Sequence, residues 1–214
     1  MHENPLGYEK ISKLLRGFAL PSITATLVSS LYNIVDQVFI GQGVGYLGNA
    51  ATNVSYPLST ICLAISLLIG IGSASRFSLY LGQKRPDQAA GITGSAVCLA
   101  AASGILYLVV GELLLSPMLR VFGATEEVMP YAQQYAGITL LGMPLLILTN
   151  AISTLIRADG SPKYSMICMV AGAIVNCILD PVFIFLCKWG VAGAAWATVL
   201  GQILSFFLAL AYLW

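Results

Sequence analysis

Asp36 and Asp180 are the two acidic residues that lie well inside long apolar runs of this 214-residue sequence. A carboxylate is costly in such a setting, and within a membrane it marks an ion or substrate path by default. Asn176 stands four residues before Asp180, and Tyr32 four before Asp36, so each pair shares one face of a helix. Pro181 follows Asp180 directly. It cannot donate to the carbonyl of Cys177, and its ring disfavours a straight helix there. The expectation is a bend beside Asp180, with bends at Pro21 and Pro144 as well. Tyr135 and Thr198 fall at matching depths on other apolar runs. Together these groups offer oxygen ligands, which suit a proton or a hard cation such as Na⁺ rather than a soft metal. If the cation is Na⁺, the metal ligands expected are Asp36, Asn176 and Asp180. Tyr32 and Asn150 are candidates for lining a substrate cavity. Tyr32 and Tyr135 would also serve as interfacial anchors, and Thr198 can bond its own helix backbone.

The elements that must position these groups follow from composition. The chain is 58% hydrophobic and 9% charged, with mean hydropathy +0.86. Soluble domains carry about 25% charged residues. Nineteen charges cannot cover a soluble fold of this size, so an all-α integral membrane protein is expected. Backbone groups in lipid must be satisfied within their own element, and the alternation of a membrane barrel is absent. Six runs approach the roughly 20 residues that a span needs: 17–40, 51–75, 89–111, 129–156, 164–187 and 191–214.

Lysine and arginine set the direction. Lys10, Lys13, Arg16, Arg76, Lys84, Arg85, Arg157 and Lys163 fall on one side, and Arg120 and Lys188 on the other. The first side is expected to be cytoplasmic, with both termini. Asp36 then lies about 6 Å and Asp180 about 10 Å from the outer helix ends, at 1.5 Å per residue. The N-terminal run is too long for a cleaved signal. Thr125 is read as the cap of the fourth helix, with Glu126 and Glu127 in its first turn. The small residues of "GVAGAAWAT" suit close helix contact in lipid. The five cysteines match no metal or redox spacing and read as packing residues. His2 receives no role. A net charge of +1 argues against nucleic acid as a partner. The stop at Trp214, with no basic anchor after it, suggests a piece of a longer protein.

The stretches "LYNIVDQVFIGQGVG", "SRFSLYLGQKRPDQA", "RADGSPKYSMICMVAGAIVNCILDPVFIF" and "GVAGAAWATVLGQ" resemble the multidrug and toxic compound extrusion (MATE) family, nearest its bacterial branch of DinF-like proteins. The resemblance covers nearly the whole chain, in order. It implies twelve helices in two six-helix lobes, of which residues 1–214 would be the N-terminal lobe. It also implies that Asp36, Asn176, Asp180, Thr198 and Tyr135 form a cation-coupling cluster. The function expected is a secondary antiporter, not an enzyme, in a bacterial cytoplasmic membrane. It would export small amphipathic cationic drugs in exchange for H⁺ or Na⁺, with no other cofactor. The partner would be the missing C-terminal lobe or a second copy of this chain. Two alternatives make different demands. A lipid-linked sugar flippase of the wider superfamily would need basic residues deep in the spans, where none lies. An intramembrane aspartyl protease resembles Tyr-Asp and Gly-x-Gly-Asp sequences, whereas Asp36 follows Val35 and Asp180 follows "CIL".

Overall fold

The computed structural model describes residues 10–213; His2 and Trp214 lie outside the described residues. Six long helices follow in order: α1 (Ile11–Gly43), α2 (Tyr46–Gly82), α3 (Pro86–Val121), α4 (Met129–Ala158), α5 (Pro162–Pro181) and α6 (Val191–Tyr212). All six are long and apolar enough to cross a membrane, α5 together with the turn that follows it. Helix is the form that satisfies every backbone group within one apolar segment.

The helices outrun the apolar windows, since helical geometry continues into flanking polar turns. α1 begins six residues before Gly17, and α3 continues to Val121, ten residues past Gly111. Glu112 therefore sits on a helix, on its exposed side. The start of α4 departs from expectation. Its N-cap is Val128, without a side-chain cap, and no acidic residue lies in its first turn. Thr125 contributes its backbone carbonyl instead, accepting from the N–H groups of Val128 and Met129 at 3.1 and 2.9 Å. Glu126 and Glu127 occupy the turn before the helix.

α4 is the central element. It packs against α2, α3 and α6, and more lightly against α5. The main core joins α2, α3 and α4 through Leu58, Cys62, Leu115, Leu119, Leu140, Met143 and Ile147. α5 packs between α6 and α1, so α1 lies at the edge of the lobe. Of its 33 residues only Pro21, Ala25, Asp36 and Ile40 are buried. The exposed leucines, isoleucines and valines of α1, α2 and α3 fit a lipid-facing surface. Pro21 and Pro144 lie inside helices that continue through them. The five cysteines carry free thiols, with Cys62 and Cys168 buried among packing residues.

Pro181 acts as a change of helix type. α5 ends there, and residues Val182–Leu186 continue as a wider π-helical turn, with the Cys187 N–H donating to the Val182 carbonyl at 2.9 Å. A π turn inserted in an α-helix frequently marks a functional site. This one begins beside Asp180.

Candidate functional site

The site is built where the ends of α1 and α5 meet the starts of α4 and α6. Close approach of α5 and α6 comes first. A Cβ on Gly201 would stand 2.7 Å from the Gly172 carbonyl oxygen, and one on Gly172 would collide with the Ser205 hydroxyl. Only glycine permits this spacing. The N-terminal turn of α6 continues it with the buried small residues Gly193, Ala194, Ala195 and Ala197. One turn above Gly172, Asn176 is thereby brought against Thr198.

Asp180 is fully buried, Asn176 is 3% exposed and Asp36 is 6% exposed. The Asn176 amide bridges two partners. With its nitrogen toward Asp180, Nδ2 donates to Asp180 Oδ2 at 3.2 Å. Its oxygen then accepts from the Thr198 hydroxyl at 3.2 Å and the Thr198 N–H at 3.1 Å. The side chains of Thr198 and Tyr135 share a further hydrogen bond. The Asp36 and Asp180 carboxyl groups lie within hydrogen-bonding reach of each other. Tyr32 and Tyr135 both stand in the electrostatic field of the two carboxyl groups. Asp36 and Asp180 are at nearly equal depth, each about 10 Å from the end of its helix at 1.5 Å per residue.

Donors and acceptors run in one consistent order. Thr198 donates to the Asn176 oxygen, and the Asn176 nitrogen donates to Asp180. The last contact, between two carboxyl groups, has no intrinsic donor. Two carboxylates this close in a dry interior cannot both be ionised without compensation. Either a proton sits between them or a cation sits beside them. Asp36 Oδ1 is buried and has no hydrogen-bond partner among the described residues. An orphaned buried acceptor is costly, and a cation would satisfy it. The carboxyl oxygens are atoms that suit a proton or a hard cation such as Na⁺, whereas Asn176 turns its nitrogen toward Asp180 and its oxygen toward Thr198.

The structure thus brings together Asp36, Asn176, Asp180, Thr198 and Tyr135, with Tyr32 alongside. It does not bring Asn150 there. Asn150 lies fifteen residues along α4 from Tyr135, about 22 Å at 1.5 Å per residue, where its carbonyl accepts from Thr154 at 2.8 Å. Two polar neighbours escaped the sequence reading. Gln37, next to Asp36, accepts from the Thr52 hydroxyl at 3.1 Å and ties α1 to α2. Gln202 has a buried, unpartnered Oε1 that lies against Gly142 of α4. Its signal was the four-residue spacing from Thr198, which places both on one face of α6.

Comparison with known proteins gives a consistent result. A model of the MatE family matches residues 21–182. The probable multidrug resistance protein YoeA of Bacillus subtilis is 26% identical over 92% of this chain and 43% of its own length. The multidrug export protein MepA of Staphylococcus aureus is 28% identical over 90% of this chain and 43% of its own. Among solved structures, the MATE multidrug transporter DinF-BH, in complex with a ligand, is 34% identical, with a TM-score of 0.93, over 99% of this chain and 48% of that one. The chain spans about half the length of these relatives.

Proposed function

Since the chain belongs to the MatE family, a family of multi-pass membrane transporters, we propose that it forms the N-terminal lobe of a multidrug antiporter. The exporter would exchange amphipathic organic cations for H⁺ or Na⁺. The relatives' names, multidrug resistance and multidrug export proteins, support the drug side of this reading. The observation that carries the coupling side is the contact between the buried carboxyl groups of Asp36 and Asp180.

In this reading the lobe takes one cation at the pair. Asp36 and Asp180 supply the negative charge, and Asn176 orients Asp180. Thr198 and Tyr135 hold the amide in place. Asp36 is the one charged residue that α1 buries among the described residues. Filling or emptying the site therefore changes how the outer half of α1 is held. A charge that crosses the membrane contributes about 2.3 kcal/mol per 100 mV, available to drive substrate outward. In this reading the basic helix ends face the cytoplasm of a bacterial cell membrane, and the site lies in the outer half of the lobe. The polar side of the lobe would be covered by the companion lobe of a longer protein or by a second copy of this chain.

Transport in proteoliposomes tests the reading. The lobe joined to its companion should move a fluorescent organic cation when an H⁺ or Na⁺ gradient is imposed. Asp180→Asn should retain binding of that cation and lose gradient-driven movement at least tenfold. Undiminished movement in Asp180→Asn would reject the assigned coupling role.

A further inference from the structure

Five buried side-chain oxygens have no hydrogen-bond partner among the described residues, and three of them lie along one seam. Gln202 Oε1 belongs to α6, and the hydroxyls of Thr149 and Ser153 belong to α4. A fourth, Asp36 Oδ1, stands at the head of that seam in the carboxyl cluster. The fifth, Asn49 Oδ1, lies apart on α2, in a side chain packed against Gly41. The seam follows from helix geometry. Tyr135 meets Thr198, and Gly142 meets Gln202, so α4 and α6 run side by side in the same direction. Thr149 is seven residues beyond Gly142, and Ser153 four beyond Thr149. That spacing keeps all three on the side of α4 that faces α6. Thr149 is 5% exposed and Ser153 is 0%. Buried hydroxyls elsewhere in the lobe bond their own helix: Ser55 donates to the Ala51 carbonyl and Ser66 to the Cys62 carbonyl, both at 2.8 Å. Thr149 and Ser153 do not. A buried hydroxyl without a bond is destabilising, and buried water is the usual partner of such groups.

Ser205 of α6 belongs to the same line. Its hydroxyl donates to the Cys168 carbonyl at 3.0 Å and keeps lone pairs that can accept. From Thr198 inward, Gln202, Ser205, Thr149 and Ser153 follow at axial steps of about 4–6 Å, at 1.5 Å per residue. One water spans such a step with two hydrogen bonds of about 2.8 Å each. We propose that this seam is a hydrated proton path from the carboxyl pair to the inner half of the lobe, a proposal that rests on the coupling role given above to Asp36 and Asp180. A proton leaves the pair as one carboxyl O–H bond breaks and a water O–H bond forms. Gln202 Oε1 and the Ser205 oxygen accept from the first waters and so hold them in line. Thr149 and Ser153 each take a proton on a lone pair and pass their own onward, so neither keeps a charge.

Water-edited solid-state NMR of the chain in lipid bilayers reads the hydration without any transport. Magnetisation should pass from water to the Thr149 and Ser153 side chains as fast as to Thr125, which is exposed in the outer turn. Ser66, fully buried and bonded to its own helix, should receive almost none. Thr149→Val with Ser153→Ala should lower the melting temperature, because two groups that water satisfies are lost. In a dry seam the same change removes two orphans and should raise it. With the lobe joined to its companion in proteoliposomes, the double variant should slow H⁺-driven export at least tenfold and leave binding of the fluorescent cation unchanged. Thr149→Ser, which keeps the hydroxyl, should export at nearly the wild-type rate. Thr149 and Ser153 as dry as Ser66, or a raised melting temperature, would overturn the path. So would undiminished H⁺-driven export in the double variant. A wild-type exporter driven by Na⁺ and not by H⁺ would overturn the path and leave the Asp36–Asp180 site standing. A wild-type exporter that neither ion drives would overturn the coupling role itself.

Discussion

The Gly201 α-carbon faces the Gly172 carbonyl so closely that a Cβ there would lie 2.7 Å from the oxygen. This contact sets the spacing of α5 and α6, and through it the hydrogen bonds from Thr198 to Asn176 one turn above. The carboxyl cluster thus depends on a residue pair that carries no chemistry itself.

Gly201→Val should separate the two helices and destabilise the lobe by about 1–3 kcal/mol, the usual cost of overpacking. The backbone oxygen cannot yield as a flexible side chain would. Thermal unfolding in detergent measures the loss. Gly72→Ala, where a Cβ meets nothing within 4 Å, is the control and should melt like wild type.

Thr198→Val keeps the shape and removes the hydroxyl, one of the two donors to the Asn176 oxygen. The expected loss is about 1 kcal/mol, read as a lower melting temperature. Thr198→Ser should restore most of it. Equal melting of all three proteins would show that the bond contributes nothing to the fold.

Much of this site was legible in the sequence, and for identifiable reasons. Asp36 and Asp180 stood out because a carboxylate in an apolar run is rare. Their similar depth followed from span ends and the helical rise alone. Asn176 followed from its four-residue spacing. Tertiary detail was not legible. Gln202 gave little signal, because its surroundings depend on which face of α6 meets Gly142. The helix ends were underestimated, since hydropathy marks the lipid-facing stretch and backbone geometry continues beyond it. At Thr125, a residue type suited to capping sits three residues too early. Its backbone closes the turn instead.

The direction of the lobe predicts thiol chemistry. Cys187 is exposed at the end opposite the basic helix termini. It should react with a membrane-impermeant maleimide added outside intact cells. Cys98, exposed on α3 about 18 Å from that helix's start at 1.5 Å per residue, should be shielded by lipid and stay unlabelled. A cysteine replacing Lys84 should react only after the membrane is opened. The reverse pattern would invert the topology.

Separating α1 from α2 tests the polar neighbour that the sequence reading missed. Gln37→Leu removes one of the two acceptors of the Thr52 hydroxyl, leaving the Asn49 carbonyl at 2.9 Å, without touching the carboxyl pair. The outer end of α1 should loosen, seen as faster amide hydrogen exchange around Val38–Gln42. Exchange unchanged from wild type would show that the α1–α2 tie is not held by this bond.

The central claim is that Asp36 and Asp180 together take one cation. Infrared difference spectroscopy of the carboxyl C=O stretch reads it directly on the membrane-embedded chain, with no need for transport. A pH step should change a buried protonated-carboxyl band; if Na⁺ is the coupling ion, added Na⁺ at constant pH should abolish that band. The band should be absent from Asp36→Asn/Asp180→Asn. A spectrum that responds to neither H⁺ nor Na⁺, or a response that persists in the double variant, would contradict the account.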